Sequence, residues 1–377
     1  MGRTPKPWYR KSRKCWFVTI GGVRHNLGPE KKAAYEHFYQ LMRQPAQSKV
    51  SPHSLAAICD AYLDWVDKHR SPHTYEWYRC RLQRFLTSCS DMAVNSLRPF
   101  HVQTWVDQNP DNSPTTRRNN IRAVKTCLNW AVRQGYIERN PIEHMQLPTG
   151  LPRQVLITPV DFERMLTLIP DEPFRDLVTA TWLTGCRPQE SLHVEARHVD
   201  GTNARWVFPK SESKIKSMPR IVYLTDEAMA IVQRLMLKND SGPLFLNTQG
   251  RPWNKQSVAC AFDRLQVRWG KQLFKERKFS VKDYRVEKLV PRLKQTRWTH
   301  GREIPKTPTE LRSEAKRKLT ARIARRIAPR YSLYALRHSW ATQALQNGVD
   351  ALTVAILMGH KDPSTLARTY QHLTHNP

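Results

Sequence analysis

The surplus of positive charge is the feature that most restricts how this chain can fold. Its 377 residues include 62 Lys and Arg against 32 Asp and Glu, a formal net charge of +30. Such a charge destabilises a compact state by self-repulsion unless a polyanion is bound. Nucleic acid is the expected partner, because cations that neutralise its phosphates release condensed counterions. A membrane surface is the alternative, but no apolar run approaches the ~18 residues of a span, and no signal peptide precedes the basic start.

Length and cysteine content indicate the class of protein. Hydrophobic residues make up 40% of the chain, which is enough for real cores, and the length predicts two or three domains. The seven cysteines are scattered and include no C-x-x-C pair. We therefore expect reduced thiols in a cytoplasmic, nucleoid-associated protein, with neither disulfides nor a zinc site.

Residues 1–50 predict a small module made of a β-hairpin and a helix. Apolar residues alternate with polar ones on both sides of Gly21-Gly22, which predicts a tight turn between two strands. A helix is expected from about Pro29 to Met42. Ahead of the hairpin, Trp8 and Tyr9 lie among lysines and arginines. That mixture fits either a nucleic-acid-binding arm or a solvated basic tail.

Residues 51–148 predict a helical domain with one cationic face. Apolar residues recur at spacings of three and four after the helix starts at Ser54, Ser71 and Ser113. These stripes are expected to form the core. The positions between them are strongly basic, which fits contact with the DNA backbone. They are Arg79, Arg81, Arg84, Arg117, Arg118, Arg122 and Lys125.

A third region, residues 153–377, follows a Pro- and Gly-containing linker. It predicts helices interrupted by one β-hairpin, with strands around residues 206–208 and 220–224 on either side of a lysine-rich turn. Within it, residues 271–330 carry 20 Lys and Arg against 6 Asp and Glu. An apolar stripe from Leu311 to Ile327 predicts a basic helix there, and a solvated, flexible insertion is the alternative.

Several residues of this region could together cleave a phosphodiester without a metal. That reaction needs a nucleophile, cations on the non-bridging oxygens and an acid for the leaving oxygen. Tyrosine becomes a nucleophile when nearby cations favour its phenolate, and arginine can grip two phosphate oxygens. Each candidate taken alone also fits an ordinary turn or cap. In chain order they are Arg187 with Glu190, the turn lysines Lys210, Lys214 and Lys216, then Arg337, His338, His360 and Tyr370.

At these residues the chain resembles the tyrosine recombinase, or phage integrase, family. The family pattern is T-G-x-R-x-x-E, a hairpin lysine, H-x-x-R before H-[ST]-[FW]-A-T, then L-G-H and a tyrosine about nine residues later. The resemblance implies a mainly α fold with small β elements. It implies an arm-type DNA-binding module at residues 1–50, a helical core-binding domain at 51–148, and a mixed α/β catalytic domain at 153–377 with a basic insertion at about 271–330.

The resemblance also implies a mechanism. A site-specific recombinase would cut DNA through a 3′-phosphotyrosyl link on Tyr370, without a metal, ATP or another cofactor. Arg187 and Arg337 would hold the non-bridging oxygens, supported by Glu190 and His338. Lys214 would protonate the leaving oxygen, and His360 would donate a hydrogen bond.

The implied partners are double-stranded DNA carrying a specific site and further copies of the chain in a synaptic tetramer. No membrane partner is expected. Two other functions stay open from the residues. They are strand passage of the type IB topoisomerase kind and non-catalytic DNA binding on a recombinase scaffold.

The chain departs from the family pattern at three points, and one matching position has more than one candidate. Tyr334 stands where the family has the histidine of H-x-x-R, the position that usually helps to accept the nucleophile's proton. The interval from His360 to Tyr370 is one residue longer than the commonest spacing, and the basic insertion is longer than usual. Lys214 fits the hairpin lysine best, with Lys216 second and Lys210 third.

Overall fold

The computed structural model describes residues 5–20, 23–43, 54–89, 92–150, 155–214, 218–299 and 301–360, together with Asp362 and Ser364. Contacts divide the chain into two units, Met1–Pro152 and Arg153–Pro377. The fold is mainly helical with small antiparallel sheets, which confirms the predicted fold class. Within the described ranges, no helix combines the length and the apolar character needed to cross a membrane.

The N-terminal segment forms a three-stranded antiparallel sheet followed by a helix. Its elements are β1 (Trp8–Arg10), β2 (Cys15–Ile20), β3 (Val23–Gly28) and α1 (Lys31–Arg43). Val18 and Leu27 pack with Ala34 and Phe38 of α1. The hairpin and helix agree with the prediction, whereas β1 was not predicted, because its basic sequence has no apolar alternation. The predicted turn residues Gly21-Gly22 lie outside the described residues.

The rest of the first unit is a helical bundle. Its helices are α2 (Leu55–His69), α3 (Pro72–Cys89), α4 (Pro99–Asp107) and α5 (Pro114–Arg133). The predicted caps are present, since Ser54 Oγ accepts from the Ala57 amide and Ser113 Oγ from the Thr116 amide. Apolar side chains from all four helices form one core. The short α4 was not predicted from the sequence.

The second unit opens with helices and a three-stranded antiparallel sheet. The elements are α6 (Pro159–Leu168), α7 (Glu172–Thr184), α8 (Pro188–His193), β4 (Val199–Asp200), β5 (Arg205–Phe208), β6 (Arg220–Tyr223) and α9 (Asp226–Lys238). Trp206 of the central strand is fully buried against the helices. The loop between β5 and β6 carries the predicted lysine-rich turn.

Within its described residues, 271–299 and 301–330, the basic region forms regular helices and strands, which favours the first of the two sequence alternatives. It contains the end of α10 (Lys255–Glu276), then α11 (Asp283–Leu289), β7 (Thr296–Thr299), β8 (Arg302–Pro305) and α12 (Pro308–Ile327). Helices α10 and α12 are in close contact, because a Cβ added to Gly270 would lie 2.2 Å from the Ala324 carbonyl oxygen. The Gln266 amide donates to the carbonyls of Arg325 and Ala328, so it satisfies the end of α12.

Two further helices follow, α13 (Leu333–Gln346) and α14 (Ala351–Leu357). The Ser339 hydroxyl of α13 accepts a hydrogen bond from the Ile157 amide at 2.7 Å and is almost fully buried. This contact fixes α13 to the segment that precedes α6.

Candidate active site

The position of Arg187 is set by a sharp turn after α7. Gly185 ends that helix in a left-handed conformation with φ of 59°. A Cβ at this glycine would lie 2.4 Å from the Trp340 ring, and the Trp340 indole donates to the Leu183 carbonyl at 3.2 Å. The turn is therefore locked against α13, and Arg187 follows as the N-cap of α8.

Glu190 is the shared acceptor of the site. Its carboxylate accepts from the Arg187 amide at 2.8 Å and from Arg187 Nη1 at 2.7 Å. It also accepts from Arg220 Nε at 3.1 Å. Burial alone would raise the pKa of Glu190, but Arg220 and Arg187 outweigh it and hold the pKa below its ordinary value. One ionised carboxylate therefore holds two guanidinium groups in place.

Arg337 connects three segments of the second unit. This α13 residue is only 3% exposed. Its guanidinium donates to the Gly185 carbonyl at 2.8 Å and to the Met358 carbonyl at 2.7 Å, and lies 3.3 Å from His360 Nε2. Burial, followed by repulsion from Arg187, lowers the pKa of Arg337 to about 10. The side chain is thus still a cation near neutral pH.

His360 follows α14 and faces the same cations. The residue before it, Gly359, has φ of 66° and accepts a hydrogen bond from Arg187 through its carbonyl. A Cβ there would lie 2.9 Å from the Arg220 guanidinium. Burial lowers the pKa of His360 to about 4, and Arg337 and then Arg187 add to the effect. His360 is therefore a neutral imidazole at pH 7.

Tyr334 and His338 lie one helical turn apart on α13. The Tyr334 side chain is 54% exposed, and its ring centroid is 5.6 Å from that of His338. Burial and then Arg337 lower the pKa of His338. The phenol of Tyr334 thus lies at the solvent-exposed edge of the helix turn that carries Arg337.

Lys214 is exposed on the loop between β5 and β6 and lines a cavity of about 620 Å³. Arg187, Glu190 and Arg220 line the same cavity, whereas Lys210 is not part of its lining. Lys216 and Tyr370 lie outside the described residues.

The loop that carries Lys214 is anchored at its start by Glu212. The Glu212 carboxylate accepts from Arg197 Nη1 at 3.0 Å and lies 3.0 Å from His198 Nε2. His198 is buried and accepts a hydrogen bond from the Glu195 amide at Nδ1, so its neutral ring carries the proton on Nε2, the nitrogen nearer Glu212.

The predicted DNA-contacting cations of the helical bundle differ in their surroundings. Arg84 and Arg122 are exposed, whereas Arg79 and Arg117 are ion-paired with acids of the bundle. Arg118 and Lys125 donate to the carbonyls of Pro148 and Met145.

Sequence reasoning missed Trp77 on this surface. The guanidinium of Arg81 lies 4.0 Å from its ring and that of Arg122 lies 5.2 Å away. A tryptophan four residues before one arginine on the same helix was an available signal.

Comparison with known proteins follows the same division of the chain. A phage integrase SAM-like domain model matches residues 54–147, and a phage integrase family model matches residues 301–376. Tyrosine recombinase XerD of Staphylococcus haemolyticus is 23% identical over 345 residues, covering 85% of this chain and 95% of the relative. The Staphylococcus aureus XerD is 24% identical over 340 residues, with the same coverage.

Solved structures share the fold at lower identity. A Tn1549 transposon integrase in complex with transposon right end DNA has a TM-score of 0.56 at 16% identity, covering 83% of this chain and 94% of that one. A lambda integrase dimer bound to a COC′ core site has a TM-score of 0.57 at 11% identity, covering 99% and 96%. The fold is that of DNA integrases. The chain belongs to the phage integrase family of tyrosine recombinases.

Proposed function

We propose that this protein is a site-specific DNA recombinase that breaks and rejoins double-stranded DNA through Tyr370. The observation that carries the proposal is the convergence of Arg187, Arg220 and Arg337 on one small site with His360. Glu190 is the acid that pairs with two of these cations. A bound phosphodiester would supply the missing negative charge and would accept hydrogen bonds from a guanidinium fork.

The proposed reaction exchanges one phosphoester for another. The Tyr370 phenolic oxygen attacks phosphorus, the bond to the 5′ oxygen breaks, and Lys214 gives that oxygen its proton. The products are a 3′-phosphotyrosine and a free 5′ hydroxyl. Attack by the 5′ hydroxyl of a second strand restores the phosphodiester and the tyrosine. Because the covalent link conserves the bond energy, the cycle needs neither ATP nor a metal.

Stabilisation of charge is the main task of the surrounding side chains. Arg187 and Arg337 would grip the non-bridging oxygens, whose charge grows as the five-coordinate state forms. Tyr334 stands where the family has a histidine, and its side chain is 54% exposed. In this proposal His360 takes up the proton of Tyr370, once a bound phosphate offsets the positive charge that lowers the pKa of His360 in the free protein.

Recombination also requires assembly on DNA. Exchange between two duplexes breaks four strands, so four active sites in a synaptic tetramer are proposed. Residues 1–50 would act as an arm-type module and 51–148 as the core-binding domain, with the exposed Arg84 and Arg122 on the DNA backbone. The catalytic domain would span 153–377.

A covalent adduct on a nicked substrate tests the proposal. The wild-type protein is incubated with a nicked duplex made from the DNA that flanks its gene, and the products are separated on a denaturing gel. A protein–DNA adduct is expected from wild type and none from Tyr370→Phe. Arg234→Met, which removes an ion pair away from the site, is the control and keeps the adduct.

Each alternative has its own outcome. No adduct from wild type would overturn the enzymatic proposal in favour of simple DNA binding. An adduct that survives Tyr370→Phe would overturn the choice of nucleophile. Strands joined between two duplexes support a recombinase, whereas relaxation of one supercoiled duplex without such joints indicates topoisomerase activity.

A further inference from the structure

The basic insertion contains a groove with cations on both rims. It lies between α11 with the turn after it on one side and α12 on the other, and encloses about 420 Å³. Its lining includes the apolar residues Val281, Leu289, Leu319 and Ile323. Six exposed cations also line it, namely Lys282, Arg285, Lys288, Arg292, Arg322 and Arg326.

Four of the six acids of the insertion pair with cations of the same insertion that lie outside the groove lining. Glu287 pairs with Arg312, Glu303 with Lys294, Glu310 with Arg297, and Glu314 with Lys306 and Lys318. Across the described ranges, none of the six lining cations forms an ion pair. Asp283, next to Lys282 in the chain, is one exposed acid against these six cations. The cations therefore repel one another, and binding of an anion would relieve that repulsion.

The groove is built on a rigid support. Its two sides share a small core in which Val286 of α11 packs with Leu311 and Ala315 of α12. Helix α12 is held against α10 by the close approach at Gly270. Because the support is packed, the backbone positions that carry the cations are fixed before an anion binds.

We propose that this groove, here called the insertion groove, binds the sugar–phosphate backbone of duplex DNA outside the bond that is cut. The inference rests on the proposed function only in taking DNA as the partner. A DNA backbone alternates anionic phosphates with apolar deoxyribose faces, which matches cationic rims over an apolar floor. The exposed Tyr284 hydroxyl, hydrogen-bonded to Arg285, adds a group that can contact phosphate.

Covalent connection relates the insertion groove to the active site. Helix α12 ends at Ile327 and α13, which carries Arg337, begins at Leu333. DNA held by Arg322 and Arg326 would thus be bound by the segment that leads into the catalytic helix. An acidic protein segment is the competing occupant. Duplex DNA, which supplies a regular row of negative charges, fits a chain of net charge +30 better than an acidic protein segment does.

Two triple variants of equal charge test the inference in the full-length protein. The groove variant is Lys288→Gln, Arg292→Gln and Arg322→Gln, with one change on each of α11, the following turn and α12. The control is Lys271→Gln, Arg302→Gln and Arg317→Gln, which are exposed and outside the groove lining. Binding of a fluorescein-labelled 40-base-pair duplex of arbitrary sequence is measured by anisotropy from about 50 to 300 mM KCl, the range in which phosphate contacts change affinity steeply.

The groove variant is expected to lower the slope of log affinity against log salt by about 2 to 3, because each lost phosphate contact removes about 0.9. The control is expected to lower it by less than about 1. Equal slopes for the two variants would overturn the inference. Binding of labelled poly-glutamate is measured in the same way. If the groove variant loses that binding but keeps wild-type binding to the duplex, an acidic protein is the partner.

A footprint on the wild-type protein gives a second readout that does not depend on the folding of any variant. Acetylation of lysines, read by mass spectrometry, should be slowed by the duplex at Lys282 and Lys288 but not at Lys271. Equal reactivity with and without the duplex at all three would contradict the inference. Failure of wild type to bind the duplex at all would instead count against the proposed function.

Discussion

Arg220 and Glu190 form a buried ion pair although 30 residues separate them in the chain, with Arg220 Nε 3.1 Å from Glu190 Oε1. Arg220 opens strand β6, and Glu190 lies on the short helix α8 that follows Arg187. The pair therefore attaches the base of the lysine-bearing hairpin to the turn that presents Arg187. Removal of either side chain should therefore disturb both the hairpin and the turn.

Arg220→Met should lower the free energy of unfolding and adduct formation together. Loss of a partner from a buried carboxylate costs about 1–3 kcal/mol. The lowered pKa of Glu190 stabilises the fold above its ordinary value of 4.5, and this contribution is lost as pH falls below it. The difference in stability between wild type and Arg220→Met should thus shrink below pH 4.5, as measured by urea unfolding.

The matched control for this prediction is Arg234→Met. Arg234 pairs with the buried Asp176 of α7, and Arg234 Nη2 lies 2.6 Å from Asp176 Oδ1. We expect it to lose stability but to keep adduct formation. If both variants keep wild-type adduct yields, Arg220 has only a structural role.

Lys214→Ala should slow cleavage of an ordinary phosphodiester by about 10²–10⁴-fold, the usual contribution of a positioned general acid. A duplex with sulfur in place of the bridging 5′ oxygen should be cleaved by the variant at nearly the wild-type rate, because a thiolate leaves without a proton. Single-turnover rates on the two substrates measure the effect.

Variants of the other two turn lysines test whether Lys214 is the general acid. Lys210→Ala, a change outside the cavity lining, should cleave both substrates like wild type. If Lys216→Ala rather than Lys214→Ala shows rescue by sulfur, the acid is Lys216. The order of preference drawn from the sequence would then be wrong.

The sequence predicted much of this site because its residues come in short, ordered motifs. Local spacing alone places Glu190 one helical turn after Arg187, and the structure brings both together with Arg337 and His360. Arg220 was missed because an arginine at the start of a strand is common on a protein surface. Only the tertiary contact with Glu190 distinguishes it.

The sequence also failed to predict those parts of the fold that depend on tertiary contacts. Strand β1 exists because it pairs with β2, as in the register Trp8 with Phe17, and its own sequence carries no strand pattern. The exposure of Tyr334 likewise depends on how α13 packs. In contrast, the caps at Ser54, Ser113 and Thr158 were predictable, since a cap is a local interaction.

Gly185→Ala should be more destabilising than Gly348→Ala. Both glycines have positive φ, so each alanine variant is strained by about 1–3 kcal/mol. A Cβ at Gly348 would lie in open space, whereas a Cβ at Gly185 would overlap the Trp340 ring. Overpacking therefore adds about 1–3 kcal/mol to the cost of Gly185→Ala alone. Thermal unfolding of the two variants measures the difference, and equal shifts in melting temperature would refute close packing of the turn on α13.

The ionisation of His360 should depend on whether DNA occupies the site. In the free protein burial, Arg337 and Arg187 lower the pKa to about 4, below the ordinary value of 6.5. Between these values the unfolded chain binds more protons, so His360 makes the fold less stable as pH falls from 6.5 to 4. His360→Gln should flatten the pH dependence of unfolding in that window, whereas His144→Gln, a change in the other unit, is the control.

Phosphate binding should reverse this shift. A phosphodiester beside Arg187 and Arg337 would offset the positive charge that keeps His360 neutral, so its pKa should rise by about 1 or more on addition of the nicked duplex. NMR titration of the imidazole signal that disappears in His360→Gln measures both states. A midpoint that stays near 4 with bound DNA would mean that the phosphate is not held against these arginines, and that the cluster acts elsewhere on the DNA than at the bond to be cut.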